Sequence, residues 1–324
     1  GKEPNGSAAR GSTTATEIVG QMKPNVPVPN IAYNIETYND RYPGYANALR
    51  VSSSNDLLLT LAPSPTALDS EIERELVDAH GRRISCEADL YDSRGLVKQY
   101  RESQAQMQTV LSAQLERYFR FEDSGTDSAA IRAEKAALRQ VYGLRPEGGN
   151  DPRSSAAARA ALVATALKRG VSQCVSMNIT GGLDTHFGTQ LTHAVNQRTG
   201  WNALADLVTD LKMSAHPSGG TFMDHTTILI FSEFSRTPLI NASGGRDHHI
   251  TNSCMLLGKG IKHNTVYGRS GDVGLSAGIV NHATGLPDAS GDQILPDHVI
   301  ATVMKAANID YSITRVEPLS GLLA

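Results

Sequence analysis

Residues 226–249 read Thr-Thr-Ile-Leu-Ile-Phe-Ser-Glu-Phe-Ser-Arg-Thr-Pro-Leu-Ile-Asn-Ala-Ser-Gly-Gly-Arg-Asp-His-His, and no other stretch constrains the fold as tightly. An apolar, β-branched run from Ile228 to Phe231 stops abruptly at Ser232-Glu233. A polar loop with two glycines follows and closes on Arg246-Asp247-His248-His249. A buried strand that delivers an acid, followed by a loop carrying charged and imidazole groups, is how an α/β protein places chemistry at the carboxyl edge of its sheet. Asp184-Thr185-His186 stands in a similar position after the apolar run Val171 to Ile179.

The surrounding pattern alternates. Ser155 to Lys168 reads as a helix stopped by Gly170, Val171 to Ile179 as a strand, and Gly181-Gly182 as a turn. Leu191 to Met213 reads as a helix with a candidate break at Gly200. Thr226 to Phe231 and Cys254 to Leu257 read as strands, and Pro296 to Ala307 as a helix with proline in its first turn. Strands alternating with helices predict a mostly parallel sheet with both faces covered. Three regions follow: an extended or irregular N-terminal arm over 1–65, a mainly helical region over 66–150, and an α/β core over 151–324 that carries the candidate site. In the helical region Leu96, Val97, Tyr100, Met107, Leu111, Leu115 and Tyr118 fall near one face. Asp127 or Ser128 suits the cap of a helix ending near Tyr142, and Arg145 to Asp151 reads as a linker. The arm is small and polar over 1–16, and Pro-Asn-Val-Pro-Val-Pro at 24–29 must be extended.

With 324 residues the chain has ample material for a real core. Its formal net charge of -3 is too mild to predict nucleic acid or an anionic membrane as partner, and no run is long enough for a membrane span. Cys86, Cys174 and Cys254 form no Cys-x-x-Cys pair and read as three buried thiols, with one disulfide and one free thiol as the alternative. The chain begins at Gly1 without a signal peptide, which reads as a mature, trimmed or partial product.

Two readings stand for each candidate residue. Asp184 and His186, two apart in an extended segment, present both side chains on one face, as two ligands of one ion must. Carboxylate with imidazole suits zinc, iron or manganese better than calcium. Alternatively Asp184 caps a turn and His186 is simply exposed. Glu233 is a metal ligand, a base, or the partner of Arg236 across a tight turn; Arg236 otherwise clamps an oxyanion. Asp247 and His249 share one face of an extended segment and Arg246 and His248 the other, while Gly244-Gly245 permits a sharp bend or a close backbone approach. No P-loop, dinucleotide fingerprint or Gly-x-Ser-x-Gly elbow is present.

Leu183-Asp184-Thr185-His186, Asp224-His225-Thr226-Thr227, Ser232-Glu233-Phe234-Ser235-Arg236-Thr237-Pro238, Asn241 and Gly244-Gly245-Arg246-Asp247-His248 together resemble the bacterial domain of unknown function 1501 family. That family looks like a branch of the alkaline phosphatase and sulfatase superfamily. The resemblance implies a three-layer α/β/α sandwich with metal ligands at the sheet's carboxyl edge. It implies Asp184, His186, Asp247 and His248 as candidate metal ligands, to which the chain's own adjacent His249 is added as a candidate, Glu233 as the strand-end acid, and Arg236 and Arg246 as groups facing an anionic phosphate or sulfate ester. It also implies export, by a twin-arginine signal in many members, and a periplasmic or extracellular place. The chain departs from the family pattern at Leu183, where tryptophan is usual, at Ser235, where glycine is usual, and at His249, where an aromatic residue is frequent. Phe234 stands where related hydrolases carry a metal-binding histidine. The family's first strand, with a glycine-rich turn presenting an aspartate, is not recognisable before Val51. Two functions follow: a metal-dependent ester hydrolase, or a non-catalytic subunit of a surface structure that keeps the fold and assembles, as a homo-oligomer or with other subunits, through its N-terminal arm.

Overall fold

The computed structural model describes residues 11–62, 75, 113–145 and 155–324. The stripe from Leu96 to Leu111, Cys86 and linker residues 146–151 lie outside these residues. The described fold is mixed α/β, with six α-helices and a small parallel sheet of three strands.

The centre of that sheet comes from the region expected to be an irregular arm. Strand β1 (Asn30–Tyr33) lies between β2 (Leu49–Val51) and β3 (Cys174–Met177), parallel to both, with Ile31 opposite Leu49 on one side and Val175 on the other. All four β1 residues are buried. Four residues are too few to show a period, and the parallel partners that make Asn-Ile-Ala-Tyr a strand come from elsewhere in the chain.

Helices lie against both faces. Ile31 and Tyr33 enter the apolar core with Leu57 and Leu61 of α2 (Ser54–Leu61), Leu162 of α4 (Ala156–Lys168) and Leu204, Leu207 and Leu211 of α5 (Gln190–Met213). On the opposite face Cys174, paired with Asn30, places its Sγ 3.9 Å from the Ala15 carbonyl in α1 (Thr14–Met22). Helix α1 is held by tertiary contacts: Val19 is fully buried, and the buried Glu17 accepts a 2.8 Å hydrogen bond from Tyr42 Oη. Lys23, in the left-handed region, ends it before Pro24.

The other helices end where local chemistry expects. Ser128 Oγ accepts from Ile131 N at the start of α3 (Ala129–Tyr142), and Gly143 closes it at φ 61°. Ser155 Oγ accepts from Ala158 N at the start of α4, and Gly170, at φ 63°, follows its end. Alanines 158, 160, 161, 164 and 166 of α4 are buried, which lets neighbouring helices approach closely. Gly200 does not break α5. A Cβ there would stand 3.0 Å from Thr180 Cβ and 3.2 Å from the Ile179 carbonyl, so glycine serves close packing rather than termination.

The parallel sheet does not extend to the second site strand. Strand β4 (Thr227–Ile230) pairs antiparallel with β7 (Met255–Gly258), Leu229 opposite Leu256. Between them in sequence, β5 (Ser235–Arg236) and β6 (His248–His249) form a short antiparallel ribbon, and β8 (Ile279–Val280) pairs with β9 (Asp292–Gln293). Helix α6 (Pro296–Ala306) starts at its proline. No described helix is long and apolar enough to cross a membrane. Cys174 and Cys254 are free thiols, and Cys254 is exposed rather than buried.

Candidate functional site

The loop after β3 and the β5–β6 ribbon meet, and their meeting builds the site. Asp184 Oδ1 accepts from His186 N at 3.1 Å and touches His186 Nδ1, so the two side chains meet just ahead of a turn at 186–187, an Asx-type hydrogen bond that a short acidic side chain favours. The His186 amide and ring hold the Asp184 carboxyl below the usual carboxylate range, with a smaller contribution from Arg236.

The ribbon aims its own residues by register. Arg236 lies opposite His248 and Ser235 opposite His249, so side chains alternate across it. Arg236 reaches the Asp184 turn: Nη2 donates to Asp184 Oδ1 at 3.3 Å, Nη1 lies 3.2 and 3.4 Å from the two ring nitrogens of His186, and Nη1 also donates to the Arg246 carbonyl at 3.1 Å. His248 stands with its ring centroid 4.6 Å from that of His186, and is stacked on Phe234 at 3.7 Å. The Arg236 guanidinium sits 5.2 Å from the Phe234 ring centroid. His249 points elsewhere, with Nε2 3.0 Å from the Gly274 carbonyl.

Backbone contacts lock the two loops together. Arg246 N donates to the Thr185 carbonyl at 2.7 Å, and Gln190 Nε2 donates to the Gly244 carbonyl at 2.7 Å. Asn241 Nδ2 donates to the His186 carbonyl at 3.1 Å and to Asp247 Oδ1 at 2.9 Å, while its Oδ1 accepts from Ser243 N and Gly245 N. The two glycines divide the roles expected of them. Gly244 turns at φ 74°, and Gly245 allows close approach: a Cβ there would stand 2.1 Å from the His186 carbonyl carbon.

Asp184, His186, Arg236 and His248 therefore come together, and the other candidates do not. Glu233 is exposed, with no hydrogen bond or ion pair among the described residues, and it does not pair with Arg236. Arg246 donates from Nη1 to the Thr237 carbonyl at 2.8 Å and to that of Pro238. Asp247 is occupied by Asn241, and His249 faces Gly274. Asn241 and Phe234, which carried no assigned role, prove central to the loop and to the ring stack. An Asn three residues ahead of Gly244-Gly245 was the signal for the first.

These residues do not fit a divalent metal ion. Among the described residues no group of three or more His, Cys, Asp and Glu side chains is arranged to hold one. The position between Asp184 and His186 is taken by a guanidinium. Nor is the cluster enclosed. A shallow recess of about 310 Å³ opens instead at the carboxyl ends of β1 and β2, lined by Asn34, Glu36, Arg50, Ser52 and Asp56 among others, and it shares no residue with the cluster. Asn34, in the left-handed region at φ 51°, follows β1 at the edge of this recess.

The family model described as "Protein of unknown function (DUF1501)" matches residues 65–286, a span that includes every candidate residue from Asp184 to His249. No curated protein and no solved structure matches the chain.

Proposed function

The chain belongs to the DUF1501 family, and from that premise we propose that it is an exported, non-catalytic protein. In this reading it serves as a subunit of a cell-surface or extracellular structure and retains an alkaline-phosphatase-like three-layer fold. Helices against both faces of the parallel sheet support the fold. The observation that carries the functional reading is the use made of the two arginines. In the hydrolase reading Arg236 or Arg246 would be the group that holds a non-bridging oxygen where charge develops. Here Arg246 reaches the carbonyls of its own loop, and Arg236 joins Asp184 to the Arg246 carbonyl. Both act as scaffolding. Around the cluster, Phe187, Leu191, Leu239 and Ile240 are exposed on loops and a helix end that touch one another, which supports a protein contact over a small-molecule pocket. Assembly through a free arm is not part of the proposal, because Thr14–Met22, Asn30–Tyr33, Leu49–Val51 and Ser54–Leu61 are built into the sheet and its covering helices.

The purified protein is expected to show no turnover of p-nitrophenyl phosphate or p-nitrophenyl sulfate with zinc, manganese or iron added. Turnover that disappears in Asp184→Ala or His248→Ala would overturn the reading. Fractionation of the native host is expected to place the chain outside the cytoplasm.

A second reading, the metal-dependent hydrolase of phosphate or sulfate esters, is favoured by the convergence of Asp184, His186, Arg236 and His248. The same assay decides between the two.

A further inference from the structure

We propose that the Arg236 guanidinium is the resident cation of this edge: it fills the place between Asp184 and His186 that a divalent ion bound by both would occupy, and it closes the edge to metal. The inference rests on the non-catalytic reading only in taking the cluster as a finished structural unit rather than a half-built active site.

The first support is occupancy. A metal ligand must offer a free lone pair. Asp184 Oδ1 already meets His186 N, His186 Nδ1 and Arg236 Nη2, and His186 Nδ1 faces Asp184 Oδ1 with Arg236 Nη1 3.2 Å away. The second is anchorage. Arg236 is not a wandering surface side chain. Its side chain is only 15% exposed, against 70% for Asp184. Strand register places it across from His248, its guanidinium lies near the Phe234 ring, and the Arg246 carbonyl takes a further hydrogen bond. The third is charge. Arginine keeps its proton at any pH the protein meets, so repulsion of a second cation at contact distance is permanent. Phe234 adds to this, because an aromatic ring offers a cation a face but a metal no lone pair.

Removing the guanidinium leaves a carboxylate and two imidazoles, Asp184, His186 and His248, in one neighbourhood. That donor set suits cobalt and zinc. The test is a cobalt(II) titration of the whole chain, read by visible absorption and by calorimetry. The wild type and Arg236→Lys, which keeps a cation, are expected to bind no cobalt at this cluster. Arg236→Met is expected to gain one ion bound about tenfold or more tighter than any site in the wild type, and to lose it again when His248→Ala is added. Wild-type binding that His186→Ala abolishes would overturn the proposal. So would a folded Arg236→Met protein that gains nothing. If Arg236→Met does not fold, Arg236→Gln, which keeps a donor for the Arg246 carbonyl without the charge, gives the same two outcomes. Ester turnover is measured separately. A wild type closed to metal but active on an ester would overturn the non-catalytic reading and leave this inference standing, whereas a cobalt-binding but inactive wild type would do the reverse.

Discussion

Two acid–base pairs in this molecule have similar chemistry and opposite surroundings. Lys135 and Asp127 meet at 2.6 Å with side chains 2% and 1% exposed. Arg236 and Asp184 meet at 3.3 Å with side chains 15% and 70% exposed. The first pair is completed by its neighbours: Lys135 Nζ also donates to the Glu122 carbonyl, and Asp127 also accepts from Ser124 N. Burial by itself would push the Asp127 carboxyl up, but Lys135 and the Ser124 amide hold it below the usual carboxylate range. Breaking such a pair strands a charge out of water. Breaking the second strands nothing, since water reaches Asp184. The difference separates a pair that holds the fold from a pair that shapes a surface.

The sharpest way to break this comparison is Lys135→Met. It leaves Asp127 buried and unpaired, and is expected to cost about 3–5 kcal/mol in denaturant unfolding. The same pair fixes a pH dependence. Its folded-state carboxyl lies below the unfolded value of about 4, so its contribution is fully present above that value and is lost as pH falls below it toward the lower folded value. Denaturation series from pH 7 to pH 3 should show this loss, and Asp127→Asn should flatten it. Next comes Gly245→Val, whose new side chain would run into the Thr185 and His186 backbone. It is expected to cost about 2 kcal/mol and to raise hydrogen exchange at the Arg246 amide, which bonds the Thr185 carbonyl. Asn241→Ala removes hydrogen bonds to His186 and Asp247 and should cost about 1 kcal/mol, with the exchange increase confined to the two loops. The smallest effect belongs to Asp184→Asn, expected to leave the unfolding midpoint unchanged. A midpoint shift as large as that of Lys135→Met would mean that the exposed pair holds the fold as well.

Much of the frame was legible. A cap at Asp127 or Ser128, a helix from Ser155 to Lys168 stopped by Gly170, and the apolar run into Ser232-Glu233 are local signals. They act over one turn of helix or a few residues of strand, so they survive without knowledge of the rest of the chain. The candidate site was legible only as a set of residues. The structure brings Asp184, His186, Arg236 and His248 together, leaves Glu233 exposed and holds Arg246, Asp247 and His249 in other contacts, a division that spacing along the chain does not carry. The spacing of Asp184 and His186 suggested an extended pair of ligands, whereas the carboxylate takes both the backbone amide and the ring of His186 as partners. Arg236 had an acid three residues away in Glu233 and turned instead to one 52 residues away. Nothing local could rank those choices, because the cross-strand register of β5 and β6 decides which way Arg236 points.

The sequence by itself determined where α3, α4 and α6 begin and end, that residues 226–249 run from strand to polar loop, and that the glycines at 244–245 serve a bend or a close approach. Each depends on backbone chemistry within a few positions. Only the tertiary structure decided that Asn30–Tyr33 is the middle of a sheet, that β4 takes an antiparallel partner, and that a guanidinium fills the space between Asp184 and His186. Each of these depends on which distant segment lies alongside, and that is settled by packing the whole core at once.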